Sequence, residues 1–186
     1  KMNIVEQIKE YVKDEFNKHK KESKYGYDFW NEHIKYVYDK AFVLARKYDA
    51  DMEIVSLGAL LHQIALIKKV GKRSDHHING AKIAEEILNK YSYPQEKIKR
   101  VKNCVFNHRT SFDAENKEEV CVSDADILSH FDNIPMIFDY AYKNYDVNLS
   151  NIRSFIKRYF ENDYNDLSDK TKVIFKEDYE NIMMVL

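Results

Sequence analysis

Polar side chains interrupt two stretches of the chain that are otherwise apolar. His62 and Gln63 lie inside "GALLHQIALI". Asp124 and Asp126 lie inside "CVSDADILSHFD". Burying imidazole, amide and carboxylate groups costs free energy unless they pair with one another or bind a metal ion. Each residue taken alone is explained more simply as a hydrogen-bonded core residue, whereas a set that converges from several helices is typical of a metal site in a helical bundle.

Histidines supply most of the further candidates for such a set. The chain has seven histidines, and four of them are expected near a helix end or on an inward face, each on a different helix: His33, His62, His77 and His108. His19 lies in a basic run and is given no role. His76 and His77 could equally be part of a polar helix start before Ile78. Taken one at a time, these histidines are weak evidence for a metal site, and core histidines remain an alternative.

Charge and composition restrict the partners that the chain can bind. The 30 Lys and Arg residues nearly balance the 31 Asp and Glu residues, so we expect no surface for a nucleic-acid polymer or an anionic membrane. The apolar run at 54–67 is too short to span a bilayer. Cys104 and Cys121 form no CxxC pair and are expected to be reduced thiols. With no signal peptide expected, and Met2 taken as the natural start, the predicted compartment is the cytoplasm.

Helical periodicity predicts an all-α, single-domain helical bundle. Only four Gly and two Pro occur in 186 residues, which favours long helices. Apolar residues at helical spacing predict nine helices, at about 3–19, 29–48, 52–66, 77–91, 94–108, 118–131, 133–145, 148–161 and 166–184. The predicted organisation is an N-terminal helical extension (1–28), a metal-binding core (29–135), and C-terminal helices packed on that core (136–186).

The order of these motifs resembles the HD superfamily of metal-dependent phosphohydrolases. That family has a first-helix His, a His-Asp pair on a buried helix, and a distant Asp. Here "ALLHQI" and "ADIL" match the "ALLHDI" and "AD-x-L" stretches of small stand-alone HD hydrolases. The resemblance covers about residues 30–135. It implies that His33, His62 and Asp126 are metal ligands.

The same resemblance suggests ligands for a second metal. Members with two metals use extra histidines in the middle of the domain. His77, in an "H-x-x-G" element with Gly80, and His108 are the candidates here. His76 is the less favoured neighbour, and His130 is expected outside the ligand set.

Position 63 departs from the family pattern, which has Asp there. Gln63 is longer and neutral, and an amide is a poorer ligand than a carboxylate for a hard divalent cation. We therefore expect an intact fold with weakened or abolished activity. Two explanations stay open: an inactivating replacement, or natural drift to a binding-only site.

The implied chemistry is attack of metal-bound water on phosphorus. Imidazole and carboxylate ligands suit Mn, Fe, Co, Ni, Zn or Mg. Candidates for binding the substrate phosphate are the basic residues Lys69, Lys72 and Arg73, with Arg109 as the stronger anchor because a guanidinium binds phosphate through two parallel hydrogen bonds. Asp75 is the nearest acid downstream of Gln63 and is the candidate general acid.

Three functional classes remain to be compared. The first is a phosphohydrolase acting on a small phosphorylated compound, with a nucleotide favoured because aromatic residues could stack on a base. The second is a degenerate HD domain that binds a nucleotide or metal as a sensor or interaction module. The third is a plain helical protein with core histidines. The amphipathic first helix and the C-terminal "YENIMMVL" make a homodimer possible.

Overall fold

The computed structural model of the chain describes residues 2–19 and 28–186. These residues form ten α-helices and no β-strand, so the all-α prediction is confirmed. In chain order the helices are α1 (Ile4–His19), α2 (Lys35–Tyr48), α3 (Met52–Leu61), α4 (Ile64–Ile67), α5 (His76–Lys90), α6 (Gln95–Asn107), α7 (Lys117–Asp132), α8 (Ile134–Asn144), α9 (Ile152–Asp166) and α10 (Asp169–Val185). A π-helical turn, Trp30–Ile34, leads directly into α2.

Helix α3 forms the centre of the bundle. Its residues are buried from Ile54 to Leu61, and it packs against α1, α2, α6 and α7. The Asp51 side chain caps its first turn by accepting hydrogen bonds from two backbone N–H groups. A Cβ at Gly58 would lie only 2.8 Å from Cys104 Cβ, so this glycine allows α6 to approach closely.

The predicted helix at 52–66 is interrupted at His62 and Gln63, and to that extent the prediction was wrong. Gln63 has φ −104° and ψ 12°, outside the helical range. The ring of His62 explains the break: its Nδ1 donates a hydrogen bond to the carbonyl oxygen of Ala59 at 2.6 Å. In a continuous helix that carbonyl would accept the backbone N–H of Gln63, so the side chain competes with the helix.

The last three helices pack on α7, and α9 and α10 do so through a cluster of aromatic side chains. Phe160 of α9 is fully buried and stacks on Phe131 of α7, with ring centroids 4.5 Å apart. Phe175 of α10 meets the same ring edge-on at 5.3 Å. The C-terminal helices therefore share a core with α7.

Truncating Phe160 should loosen the whole molecule. We expect Phe160→Ala to lower the free energy of unfolding by about 3–5 kcal/mol, the usual cost of deleting a buried aromatic ring. Val173→Ala, at a side chain that is 78% exposed on α10, should change it by less than about 0.5 kcal/mol. Urea unfolding of both variants measures the difference. A similar small loss in both would show that α9 does not fold together with α7.

The predicted three-part division of the chain stays a prediction. Residue 1 and residues 20–27, on which the predicted break after the first helix falls, lie outside the described residues. Within the described part, Ile8 and Val12 of α1 are fully buried. No helix of this part has the length and apolar character needed to cross a membrane.

Candidate metal centre and its cavity

Three elements bring His33, His62 and Asp126 together. His33 lies on the π-helical turn, a type of turn that is common at functional sites, His62 follows α3, and Asp126 lies in the middle of α7. The Nε2 atoms of the two histidines are 3.0 Å apart. Asp126 Oδ1 is 3.2 Å from His33 Nε2 and 3.7 Å from His62 Nε2. One donor atom from each residue lies within 4.8 Å of the others, so the three can share one cation.

The hydrogen bonds and charges of this cluster favour the protonation state that binds a cation. Because Ala59 O only accepts, His62 Nδ1 carries the proton and its Nε2 lone pair faces the other two donors. Burial lowers the pKa of His33, although Asp126 opposes this. Burial would raise the pKa of Asp126, but the neighbouring His33 and His62 hold it well below its usual range. Neutral imidazoles and a charged carboxylate are the forms that ligate metals.

A second histidine pair, His76 and His108, adjoins the first cluster. Their Nε2 atoms are 3.0 Å apart, and the His108 ring centroid is 5.2 Å from that of His62. Each Nδ1 donates to a backbone carbonyl, that of Arg73 at 2.7 Å and that of Val105 at 2.6 Å. In the neutral rings, therefore, two lone pairs face one another. A shared cation satisfies both, at the spacing expected for ligand bonds of about 2.1 Å.

His77 lines a different cavity from this pair, although its ring centroid is 5.9 Å from that of His76, contrary to the expectation that it joins the metal donors. Its ring lies 5.4 Å from that of Phe106, and it lines a second cavity of about 610 Å³. Burial lowers its pKa, and the positive charge of Arg109 adds to this. His76 and Gly80 are four residues apart and share the buried face of α5, whereas His77 is rotated away from it. That i, i+4 spacing is the signal that the sequence interpretation missed.

Asp124 serves a different purpose from Asp126. It is fully buried, and its carboxylate accepts hydrogen bonds from the backbone N–H and the hydroxyl of Ser168. It therefore holds the start of α10 against α7. Of the two acids, Asp126 is therefore the one that lies beside His33 and His62.

Gln63 lines the main cavity beside the histidines. Its side chain is 7% exposed, and its Oε1 has no hydrogen-bond partner among the described residues. A buried amide oxygen without a partner costs free energy. Gln63 therefore combines a place in the cavity lining with a buried acceptor that has no donor in the described structure.

The main cavity has a volume of about 760 Å³ and a mixed lining. Basic side chains come from the segment after α4 and from the end of α6: Lys69, Arg73 and Arg109. Aromatic side chains come from the residue before the π-helical turn, from α8 and from α9: Phe29, Tyr140 and Tyr159. His19, which the sequence interpretation left without a role, also lines this cavity. One chamber thus offers metal donors, cations and stacking surfaces.

Lys72 and Asp75, which were also predicted site residues, do not line this cavity in the described structure. Lys72 and Asp75 both have exposed side chains. Lys72 has an extended backbone before a 3₁₀ turn, and Asp75 accepts a hydrogen bond from the Ser74 hydroxyl at 3.0 Å. The 3₁₀ turn directs the chain so that Arg73 faces the cavity and its neighbours face solvent.

His130 also lines the cavity, and it pairs with Asp163, a partner that the sequence did not reveal. His130 Nδ1 lies 2.8 Å from Asp163 Oδ2, and the ring of His130 stacks near that of His33 at 6.4 Å between centroids. Burial would lower the pKa of His130, but the hydrogen bond to Asp163 raises it. The two residues come from α7 and α9, so no local pattern connects them.

The buried histidines predict that the metal-free protein loses stability in acid. Burial lowers the pKa of His108 from 6.5 to about 3, with the neighbouring His62 adding to the effect. Between these pH values His108 is protonated in the unfolded chain and stays neutral in the folded chain. Because the unfolded chain binds more protons, the free energy of unfolding falls as pH falls. Each pKa unit of difference corresponds to about 1.4 kcal/mol. The lowered pKa of His33 and His76 acts in the same direction, and the raised pKa of His130 acts against it.

Urea unfolding in the presence of a chelator, repeated across this pH range, measures the effect. A His108→Gln variant cannot take up the proton and should show a shallower dependence on pH. Stability that stays constant as the pH falls from 6.5 towards 3 would contradict the neutral, buried state of these rings.

Known proteins share this fold and part of this sequence pattern. The chain matches the family model of the HD domain over residues 30–130. A search of curated proteins found no match. The structure is similar to that of Bacillus subtilis YpgQ in complex with ADP, with a TM-score of 0.69 and 21% identity over 97% of this chain and 93% of that one. Another YpgQ structure gives 0.70 and 18%, over 97% and 89%.

A third similar structure is that of a predicted HD superfamily hydrolase from an uncultured Thermotogales bacterium. Its TM-score is 0.60 at 19% identity, over 87% of this chain and 97% of that one. At these identities the solved structures show a common fold. The family match spans more than half of the chain and includes the stretch from the π-helical turn to α7. The chain therefore belongs to the HD-domain family.

Proposed function

We propose that this chain is a divalent-metal-dependent phosphohydrolase for a small nucleotide, with turnover weakened or abolished by Gln63. The observation that carries the proposal is the convergence of His33, His62 and Asp126 in a large cavity that also contains basic side chains. The HD-domain family is one of metal-dependent phosphohydrolases, and the donor types fit Mn, Fe, Co, Ni, Zn or Mg.

The roles of the donors follow from their positions. His33, His62 and Asp126 would hold one ion, and His76 with His108 would supply donors for a second. A bound divalent ion supplies an activated water and polarises a phosphoryl oxygen. His76 takes the place that the sequence interpretation gave to His77.

The basic side chains of the cavity would bind the substrate phosphate. Arg109 donates a long hydrogen bond to the Ser74 carbonyl at 3.4 Å, which holds its guanidinium beside the cavity. Lys69 and Arg73 line the same chamber. Cations at these positions stabilise the charge that develops on phosphoryl oxygens during hydrolysis.

A nucleotide fits the remaining lining. Ligand cavities usually have volumes of roughly 300–1,000 Å³, and this one is about 760 Å³. Tyr140 and Tyr159 offer faces on which a base can stack. The complex of YpgQ with ADP supports the same assignment.

Met184 and Val185, exposed at the end of α10, support pairing with a second copy of the chain.

Gln63 favours a second candidate function, that of a degenerate HD domain which binds a nucleotide or metal as a sensor or interaction module. Gln63 occupies the position of the family's Asp, so the site lacks one negative charge. Such a site would bind its ligand without hydrolysing it.

One experiment separates the two functions. Phosphate release is measured from a panel of nucleotides and simple phosphoesters, with Mg, Mn, Co and Ni supplied in turn, by this chain and by Gln63→Asp. Release by the variant supports the enzyme. If neither protein releases phosphate with any metal but a nucleotide binds, the result supports the binding module.

A further inference from the structure

The donor set around the cavity is unusually rich in imidazole. The rings of His33, His62, His108 and His76 form a continuous series, with successive centroids 5.1, 5.2 and 4.9 Å apart. Asp126 is the carboxylate that lies among them in the described structure. Five donors thus carry a single negative charge.

Gln63 faces the same cavity from the break between α3 and α4, and its Oε1 is buried without a partner in the described part of the chain. The amide adds no charge to the lining of the cavity. A carboxylate at the same position would double the negative charge of the donor set. The neutral side chain therefore changes the balance between nitrogen and charged oxygen donors.

We propose that Gln63 sets the metal selectivity of this site, favouring nitrogen-preferring ions such as Ni²⁺ and Zn²⁺ over the oxygen-preferring ions Mn²⁺ and Mg²⁺. Imidazole suits the late first-row ions, whereas carboxylate and water ligands suit Mn and Mg. Mg²⁺ in particular is held by one or two carboxylates. The inference rests on the metal site of the proposed function.

Every site with nitrogen donors binds Ni²⁺ more tightly than Mn²⁺, so the test concerns how the ratio of affinities changes. Isothermal titration calorimetry of the metal-free protein gives the dissociation constants for Mn²⁺ and Ni²⁺ separately. It is applied to this chain, to Gln63→Asp and to Gln63→Glu. The Glu variant keeps the length of the side chain and adds only the charge.

We expect the ratio of the Mn²⁺ to the Ni²⁺ dissociation constant to fall by at least about tenfold in either variant, a change of the size seen when groups around a metal are altered. Gln95→Glu is the matched control, because it makes the same change on an exposed side chain at the start of α6, and should leave the ratio as it is. Circular dichroism checks that each variant is folded. Two variants are used so that one can still be measured if the other does not fold.

A smaller change of the ratio in both folded variants overturns the selectivity proposal while leaving the metal site in place. Failure of the unaltered chain and of both variants to bind any of the ions overturns the metal site itself. The two failures are therefore distinguishable without measuring turnover.

Discussion

Replacing His62 with alanine is expected to lower the affinity for a divalent cation by at least about 100-fold, because even residues around metal ligands are worth 10–100-fold. His62 is fully buried and its Nε2 lies within 3.7 Å of both His33 Nε2 and Asp126 Oδ1. Its removal therefore leaves two donors and an unfilled space. Calorimetric titration with Ni²⁺ measures the loss directly.

Thermal unfolding gives an independent measure of the same loss. A cation at 100 times its dissociation constant stabilises the folded state by about 2.7 kcal/mol, so the unaltered protein should unfold at a higher temperature with metal than with a chelator. At the same cation concentration a variant with 100-fold lower affinity should gain no more than about 0.4 kcal/mol. His77→Ala, which removes an imidazole that lines the other cavity, is the matched control and should keep the full shift. An undiminished metal-dependent shift in His62→Ala would contradict the assigned site.

Replacing Gln63 with aspartate is expected to raise phosphohydrolase turnover by at least about 100-fold, the lower end of the usual contribution of a positioned acid or base. The variant places a carboxylate at the break after α3, next to His62. A carboxylate there can accept a proton from the attacking water and add charge to the ligand set, and an amide can do neither.

The control for this prediction is Gln63→Asn, which shortens the side chain by the same amount but adds no charge. Initial rates are measured with the best nucleotide and metal from the phosphate-release panel. Only the aspartate variant should gain activity. An equal gain in the asparagine variant would show that side-chain length, rather than charge, limits the unaltered protein.

The helical class and most helix positions were predictable because they depend on local patterns. Apolar spacing along 3–19 and 118–131 corresponds to α1 and α7 within one residue at each end. The break at His62 and Gln63 was not predictable in this way, because it depends on the hydrogen bond that the His62 ring makes with Ala59 O. Whether a buried side chain hydrogen-bonds to its own helix backbone or contacts a neighbouring helix depends on the packing around it.

The candidate site divides in the same manner. The sequence by itself determined which residue types were available and singled out His33, His62 and Asp126, since polar residues in apolar helices stand out without any structure. Only the tertiary structure decided between adjacent candidates: it brought His76 rather than His77 to His108 and turned Lys72 and Asp75 to solvent.

The tertiary structure also joined His130 to Asp163, from helices that are distant in sequence. The physical reason is the same in each case. Periodicity specifies which residues a helix tends to bury, whereas the rotation of one helix against another determines which of two neighbouring side chains reaches a common point.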